Sequence, residues 1–183
     1  MPFRAFISVD LDRFGPVKHL VDEIRAASPA MKAVNVDLMH LTLKFLGDTQ
    51  ESLVPSIVSI MQDGFQGVEP FKIRLVGTGA FPNLDYMRVL WIGLEDNGIL
   101  APIAQKIDVG LGKFGFDREE RPFSPHVTIG RMKGAQGKDK LKAILNQHGS
   151  EVFSEQQVTS IRLKKSVLSP QGPTYTTVEE VRL

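Results

Sequence analysis

The chain contains no cysteine among its 183 residues, so disulfides, thiolate nucleophiles and cysteine metal sites are all excluded. No apolar run approaches the roughly 20 residues that a membrane-spanning helix needs. The first seven residues also lack the charged, apolar and cleavage regions of a secretory signal peptide. We therefore expect a cytoplasmic protein that does not enter the membrane.

Strong charge of one sign is missing as well, because the formal net charge is only +1. The cations are nevertheless uneven: residues 113–142 hold eight lysines and arginines against four acids. Such a cluster could steer an anionic substrate toward the protein, although a solvated face with chance clustering is an equally good interpretation.

Two short motifs repeat at nearly the same distance along the chain. His40-Leu41-Thr42-Leu43 matches His126-Val127-Thr128-Ile129 at an offset of 86 residues. Ile73-Arg74-Leu75 matches Ile161-Arg162-Leu163 at an offset of 88 residues, and each of these segments is followed by a proline seven residues after its leucine. Two independent matches with similar offsets indicate an internal duplication.

The hydrophobic pattern of the two halves agrees with this duplication. In each half we predict a short strand, an amphipathic helix, the motif strand, a second helix and the Ile-Arg-Leu strand, which gives a β-α-β-α-β order. The predicted strands include 3–9, 38–46, 88–94 and 123–129, with a last strand at 176–183; loops are expected at 28–34, 115–122 and 130–138. Since no linker-like segment separates the repeats 1–87 and 88–183, we expect one bilobal domain over 1–183.

The spacing of each motif places its histidine and threonine together. Side chains two residues apart on a strand project to the same face, so His40 and Thr42 point one way and Leu41 the other. If the halves pack about a pseudo-two-fold axis, two imidazoles and two hydroxyls face one groove. One neutral imidazole can then accept a proton from water and one protonated imidazole can donate to a leaving oxygen, as in-line displacement at phosphorus requires.

A structural role is the competing interpretation, because a single histidine in a strand is usually structural and a threonine there needs no explanation. What favours catalysis is that two of only four histidines stand at equivalent positions of a repeat. The other two, His19 and His148, lie on predicted helices without the spacing of a metal site. We therefore predict no metal and no cofactor.

The wider sequence around the motifs is similar to a known family. His40-Leu41-Thr42-Leu43-Lys44-Phe45-Leu46-Gly47 and Phe123-Ser124-Pro125-His126-Val127-Thr128-Ile129-Gly130-Arg131 resemble the two signatures of the 2H phosphoesterase superfamily. Within it, they resemble the RNA 2′,3′-cyclic phosphodiesterases, also called 2′-5′ RNA ligases. The opening Phe3–Asp10 segment is similar to the first strand of that family, so the resemblance covers nearly the whole chain.

The resemblance implies a bilobal α+β fold with two antiparallel sheets facing a central cleft. It implies hydrolysis of a 2′,3′-cyclic phosphate at an RNA end, on a tRNA-like or other oligoribonucleotide, to a 2′-phosphomonoester, with a possible reverse 2′-5′ ligation. The resemblance also implies a role for each motif residue: His40 is the proton donor, His126 is the proton acceptor, and Thr42 and Thr128 bind the phosphate. We add Arg131, which follows the second motif, as a candidate phosphate ligand, although a solvated cation is an equally good interpretation.

Phe45 and Phe123 could stack on bases, but we predict that they belong to the core. The enzyme could instead act on another phosphodiester, such as a 2′-5′ oligoadenylate or a metabolite derived from a cyclic nucleotide. The chain could also be an RNA-end-binding module without turnover, and we take a monomer as the expected state.

Overall fold

The computed structural model describes residues 1–12 and 14–183. Within them the chain forms nine strands and four α-helices that alternate through most of the sequence. The strands are β1 (Phe3–Asp10), β2 (Met31–Ala33), β3 (His40–Thr49), β4 (Phe71–Phe81), β5 (Val89–Glu95), β6 (His126–Met132), β7 (Val152–Val158), β8 (Ser160–Ser169) and β9 (Gly172–Arg182). The helices are α1 (Gly15–Ala27), α2 (Val54–Phe65), α3 (Leu100–Gly112) and α4 (Lys138–Gln147).

The strands form two antiparallel sheets, which confirms the predicted α+β class. The first sheet has the order β3-β1-β8-β9, and the second has the order β2-β6-β5-β4-β7. The two motif strands, β3 and β6, approach each other closely enough for direct contact between the sheets. The motifs therefore lie where the two sheets meet.

Each helix buries the apolar stripe that its sequence predicts. Val17, Val21 and Ile24 of α1 are inaccessible to solvent, as are Ile107 and Leu111 of α3. The helices α1 and α4 pack beside strands of the second sheet, whereas α2 and α3 pack together beside strands of the first. None of the helices in the described residues is long and apolar enough to cross a membrane.

The sheets exchange strands between the two sequence repeats. Strand β4, which ends the first repeat, pairs with β5 of the second, and β8 of the second repeat pairs with β1 of the first. The first sheet therefore combines β1 and β3 of the first repeat with β8 and β9 of the second, and the second sheet combines β2 and β4 of the first repeat with β5, β6 and β7 of the second. This arrangement joins the two halves through backbone hydrogen bonds as well as through side-chain packing.

Two strands were missed from the sequence. Strand β2 lies inside the predicted loop 28–34, and its three residues are too few to give a periodic signal. Strand β7 lies at the edge of the second sheet, where Glu155, Gln156 and Gln157 replace the apolar residues of a typical strand. The predicted strand 123–129 was also placed too early, because β6 begins at His126 and continues through Met132 into the predicted loop 130–138.

Candidate active site

Both motif histidines stand at the first position of a strand, and both rings are held in the same way. Nδ1 of His40 lies 2.9 Å from the carbonyl oxygen of Leu38, and Nδ1 of His126 lies 2.7 Å from that of Ser124. A carbonyl oxygen can only accept, so Nδ1 carries the proton and donates in each ring. Each histidine therefore keeps Nε2 available for proton transfer.

The alternation predicted for the motifs is present in both strands. Leu41 and Val127, between the histidines and threonines, are each only 1% exposed and belong to the core. Thr42 pairs with Ser8 of β1, whereas Thr128 pairs with Trp91 of β5. His40 and Thr42 therefore lie on the opposite face of β3 from Leu41, and His126 and Thr128 lie on the opposite face of β6 from Val127. The strands β3 and β6 contact each other, and we call the region around these four side chains the cleft.

Aromatic rings surround His40. Phe6 stacks on the imidazole with ring centroids 4.6 Å apart, and the Tyr175 ring is perpendicular to it with centroids 5.1 Å apart. Burial among these rings lowers the pKa of His40, because it disfavours the charged imidazolium. The hydrogen bond to the Leu38 carbonyl and the charge of the Asp10 carboxylate act to raise this pKa. The charge of the Lys164 ammonium acts to lower it, as burial does. In the unliganded protein, His40 is therefore biased toward the neutral form.

His126 has a more open environment. Phe81 packs edge-on against its ring with centroids 5.0 Å apart, and a depression of about 320 Å³ opens between His126, Trp91 and Gly93. The backbone of Gly79 makes room for the indole, because a Cβ there would lie 2.3 Å from Cζ2 of Trp91. The two histidines thus share one hydrogen-bond geometry but differ in how tightly aromatic rings enclose them.

Arg131 reaches the same cleft by way of a β-bulge. The register between β5 and β6 shifts after Thr128, so that Arg131 pairs with Val89 and lies on the same face as Thr128. Burial raises the pKa of the Tyr175 phenol, while the charge of Arg131 acts to lower it. Arg131 is exposed, so its guanidinium is accessible to a ligand.

A charged group next to His40 was not predicted. Asp10 is the register partner of His40, and its carboxylate accepts hydrogen bonds from Arg162 and, at 2.7 Å, from Lys164. Burial alone would raise the pKa of Asp10, but these two cations outweigh it and hold the pKa below its usual value. The Asp10 carboxylate is therefore ionised at neutral pH. Asp10, Arg162 and Lys164 form a charged cluster next to His40, which we call the floor of the cleft.

The aromatic residues of the cleft were only partly predicted. Phe45, which we expected in the core, is 66% exposed and lies beside Phe6, with ring centroids 6.3 Å apart. The prediction was wrong because two bulges between β1 and β3 change which side chains of β3 face the cleft. Phe123 is partly buried against the core, as expected. The contacts of Phe6 and Tyr175 with His40 were not predicted, because the sequence does not show which face of a strand an aromatic side chain occupies.

The described residues contain no cluster of three or more histidine, aspartate or glutamate side chains that could hold a metal ion. Residues 14–164 match the sequence model of the 2′-5′ RNA ligase superfamily. The chain belongs to this superfamily.

Individual relatives agree with this assignment. An RNA 2′,3′-cyclic phosphodiesterase of Methanothermobacter thermautotrophicus is 37% identical over 185 residues, which span all of both chains. An enzyme of the same name from Archaeoglobus fulgidus is 37% identical over 174 residues, covering 94% of this chain and 96% of the relative. A crystal structure of a Thermus thermophilus protein superposes with a TM-score of 0.77 at 28% identity, covering 98% of this chain and 97% of the other.

Proposed function

We propose that this superfamily member hydrolyses the 2′,3′-cyclic phosphate at an RNA end to a 2′-phosphomonoester, as a cytoplasmic monomer without a metal or cofactor. The observation that carries the proposal is the matched geometry of His40 and His126, each with Nδ1 held by a backbone carbonyl and Nε2 left free. The relatives named RNA 2′,3′-cyclic phosphodiesterase support the substrate.

In the proposed reaction, a water molecule attacks phosphorus and the bond between phosphorus and O3′ breaks. Nε2 of His126 takes a proton from the water, and the imidazolium of His40 gives one to O3′, leaving a 2′-phosphate and a 3′-hydroxyl. After turnover His126 is protonated and His40 is neutral, so proton exchange with solvent restores the starting forms. The assignment of acid and base follows the family resemblance.

The remaining site residues bind the phosphate. The hydroxyls of Thr42 and Thr128 donate to non-bridging oxygens, where negative charge resides in the transition state. Arg131 adds a positive charge from the second sheet. Because burial lowers the pKa of His40 in the free protein, the anionic substrate has a further role: its charge next to the imidazole favours the protonated form that donates to O3′.

The possible 2′-5′ ligation, which is the reverse of cleaving a 2′-5′ linkage, is part of the same proposal. In it a 5′-hydroxyl of a second RNA replaces water as the nucleophile on the cyclic phosphate, and the bond between phosphorus and O3′ breaks. The same two proton transfers then produce a 2′-5′ phosphodiester. Ligation therefore requires a second RNA end in the cleft and no additional catalytic group.

The test uses an oligoribonucleotide with a 2′,3′-cyclic phosphate end, incubated with the protein in EDTA, with identification of the product. We expect a 2′-phosphate from the wild type and a rate at least 100-fold lower for His40→Ala and for His126→Ala, since general acid-base groups contribute about 100- to 10,000-fold. His19→Ala is the matched control, because His19 is exposed on α1.

Three other outcomes have distinct meanings. Full activity of both motif variants, or a requirement for metal, would refute the two-histidine proposal. Turnover of a 2′-5′ oligoadenylate or a cyclic mononucleotide metabolite in place of the RNA end would agree with the two-histidine mechanism but contradict the proposed substrate. Tight binding of the RNA end without turnover by the wild type would identify a binding module.

A further inference from the structure

The cations of residues 113–142 do not form one surface in the folded chain. Arg118 donates to the Asp108 carboxylate, and Lys142 lies 2.6 Å from that of Asp85, so both charges are compensated. Lys113 lines a groove between α2 and α3, away from the motif strands. Arg131 and Lys133 differ from these, because Arg131 lies on β6 three residues after Thr128 and Lys133 directly follows the end of that strand.

Strand β2 adds another cation beside these two. Lys32 is the register partner of Arg131, and neighbouring strands lie about 4.8 Å apart, so the two side chains project side by side from the cleft face. Lys133 follows Arg131 by two residues, and its backbone N–H donates to the Ala30 carbonyl at 2.8 Å. We call Lys32, Arg131 and Lys133 the basic edge of the second sheet.

The basic edge lacks internal charge compensation. Over residues 1–12 and 14–183, none of its three side chains lies within ion-pair distance of a carboxylate, and all three are exposed. Like charges on adjacent strand positions repel each other, which costs stability unless an anion binds them. Several phosphates held in a row at fixed spacing are the ligand that such a line of cations fits.

An exposed aromatic residue lies at the same end of the sheet. Tyr86 stands in the loop between β4 and β5 and is 74% exposed, and Nζ of Lys138 lies 5.8 Å from its ring centroid. The side chain of Asn83 fixes this loop, because its Oδ1 accepts from the backbone N–H groups of Asp85 and Tyr86, each at 2.9 Å. The ring is thus presented to solvent on a turn with internal hydrogen bonds.

We propose that the basic edge and Tyr86 bind the RNA strand upstream of its terminal nucleotide. Phosphates contact Lys32, Arg131 and Lys133, and one base stacks on Tyr86, the combination by which single-stranded RNA is held without sequence preference. The inference rests on the proposed function, since it places the cyclic phosphate at His40 and His126. It adds which side chains hold the upstream nucleotides, and that a cyclic mononucleotide leaves this surface empty.

The test compares two substrates: a nucleoside 2′,3′-cyclic phosphate and an eight-nucleotide RNA that ends in the same nucleotide. We expect the wild type to have a kcat/KM at least roughly 10-fold higher for the RNA, in line with one or two added phosphate contacts. The double variant Lys32→Ala/Lys133→Ala loses most of that advantage and keeps its kcat/KM for the mononucleotide. For the RNA, a plot of log kcat/KM against the logarithm of the salt concentration should also have a shallower slope for the double variant than for the wild type. The difference should be about 1.4, because each of the two lost phosphate contacts contributes roughly 0.7.

Tyr86→Ala separates stacking from charge. We expect its kcat/KM for the RNA to fall roughly 5-fold or more, as for the loss of one stacked base, with little change in the salt slope. The controls are Lys18→Ala/Lys106→Ala, which removes two exposed cations from α1 and α3, and Phe114→Ala, which removes a 44% exposed aromatic ring beyond α3. Neither control should change the preference for the RNA.

Equal kcat/KM of the wild type for the two substrates would overturn the inference and leave the proposed function intact. Equal losses on both substrates in the double variant would overturn it too, since they would indicate damage to the cleft. If the wild type turned over neither substrate, the proposed function would be wrong. Fluorescence anisotropy of the labelled RNA would then decide the inference: weaker binding by the double variant than by the controls supports it, and equal binding refutes it.

Discussion

The rings of Tyr175 of β9 and His40 pack in an edge-to-face arrangement, with ring centroids 5.1 Å apart and ring planes at 89°. Phe6 stacks on the same imidazole, so two aromatic side chains and the Leu38 carbonyl fix the orientation of the ring. The direction in which Nε2 of His40 points therefore depends on a residue that is 135 positions away in the sequence.

Removing the Tyr175 ring should impair catalysis more than removing its hydroxyl. We expect Tyr175→Ala to lower kcat on a cyclic mononucleotide about 10- to 100-fold, because a small misplacement of a catalytic group is costly. Tyr175→Phe keeps the ring contact and should stay within about 3-fold of wild type. Equal losses in the two variants would show that the hydroxyl, and not the packing against His40, is what matters.

The titration of His40 should reflect its burial and its charged neighbours. In the free protein, NMR should give His40 a pKa below the ordinary value of about 6.5, and a bound substrate analogue should raise it. Asp10→Asn should lower it further, because the Asp10 carboxylate favours the imidazolium and the Lys164 charge then acts unopposed. A higher pKa of His40 in Asp10→Asn would contradict this view of the cleft floor.

The same pKa distinguishes acid from base. If His40 is the acid, kcat/KM falls as the pH rises through its lowered pKa; if His40 is the base, kcat/KM rises across the same interval. The pH at which the NMR signal of His40 titrates identifies the limb that belongs to it. A falling limb at that pH is the expected result.

A buried ion pair links the first motif strand to the segment that leads into the second. Lys44 is 3% exposed and its Nζ lies 2.8 Å from the Asp108 carboxylate of α3 and 2.6 Å from the Asp117 carbonyl. Lys44→Met should lower the free energy of unfolding by about 3 kcal/mol, because it removes one partner of a buried pair. Lys72→Met, which breaks an exposed pair with Glu155, should change it by less than about 1 kcal/mol in the same urea titration.

His148 should make stability depend on pH. Burial alone would lower its pKa, but the carboxylates of Glu151 and Glu23 outweigh burial and raise it. A raised folded-state pKa means that the stabilisation is fully present below about pH 6.5 and is lost as the pH rises through the folded pKa. We expect His148→Asn to lower the free energy of unfolding by about 1 kcal/mol or less at pH 6 and to change it little at pH 9. Urea titrations at the two pH values measure this difference, and an equal loss at both would contradict the role of His148.

The sequence predicted those features that depend on local periodicity. Leu41 and Val127 alternate with their motif partners as expected, and the helix stripe of Val17, Val21 and Ile24 is buried. It did not predict the exchange of β4 and β8 between the sheets, because strand pairing is decided by contacts between residues far apart in sequence. Phe45 was misplaced for a related reason: bulges change the face of a side chain without changing the composition of the strand.

The charged floor of the cleft could not be predicted from the sequence either. Asp10, Arg162 and Lys164 come from opposite ends of the chain and meet only because β8 of the second repeat pairs with β1 of the first. A periodic pattern marks Arg162 and Lys164 as polar positions of a strand but gives no indication of their partner. The paired motifs were recognisable because the duplication repeats the same residues in the same local structure.

The most direct test of the two-histidine chemistry replaces the leaving oxygen of the substrate. A cyclic phosphate whose 3′ oxygen is exchanged for sulfur has a thiolate leaving group, which departs without protonation. On this substrate we predict that His40→Ala approaches the wild-type rate, while His126→Ala stays at least about 100-fold slower because the water still needs a base. Equal impairment of both variants on the sulfur substrate would contradict the assignment of His40 as the proton donor.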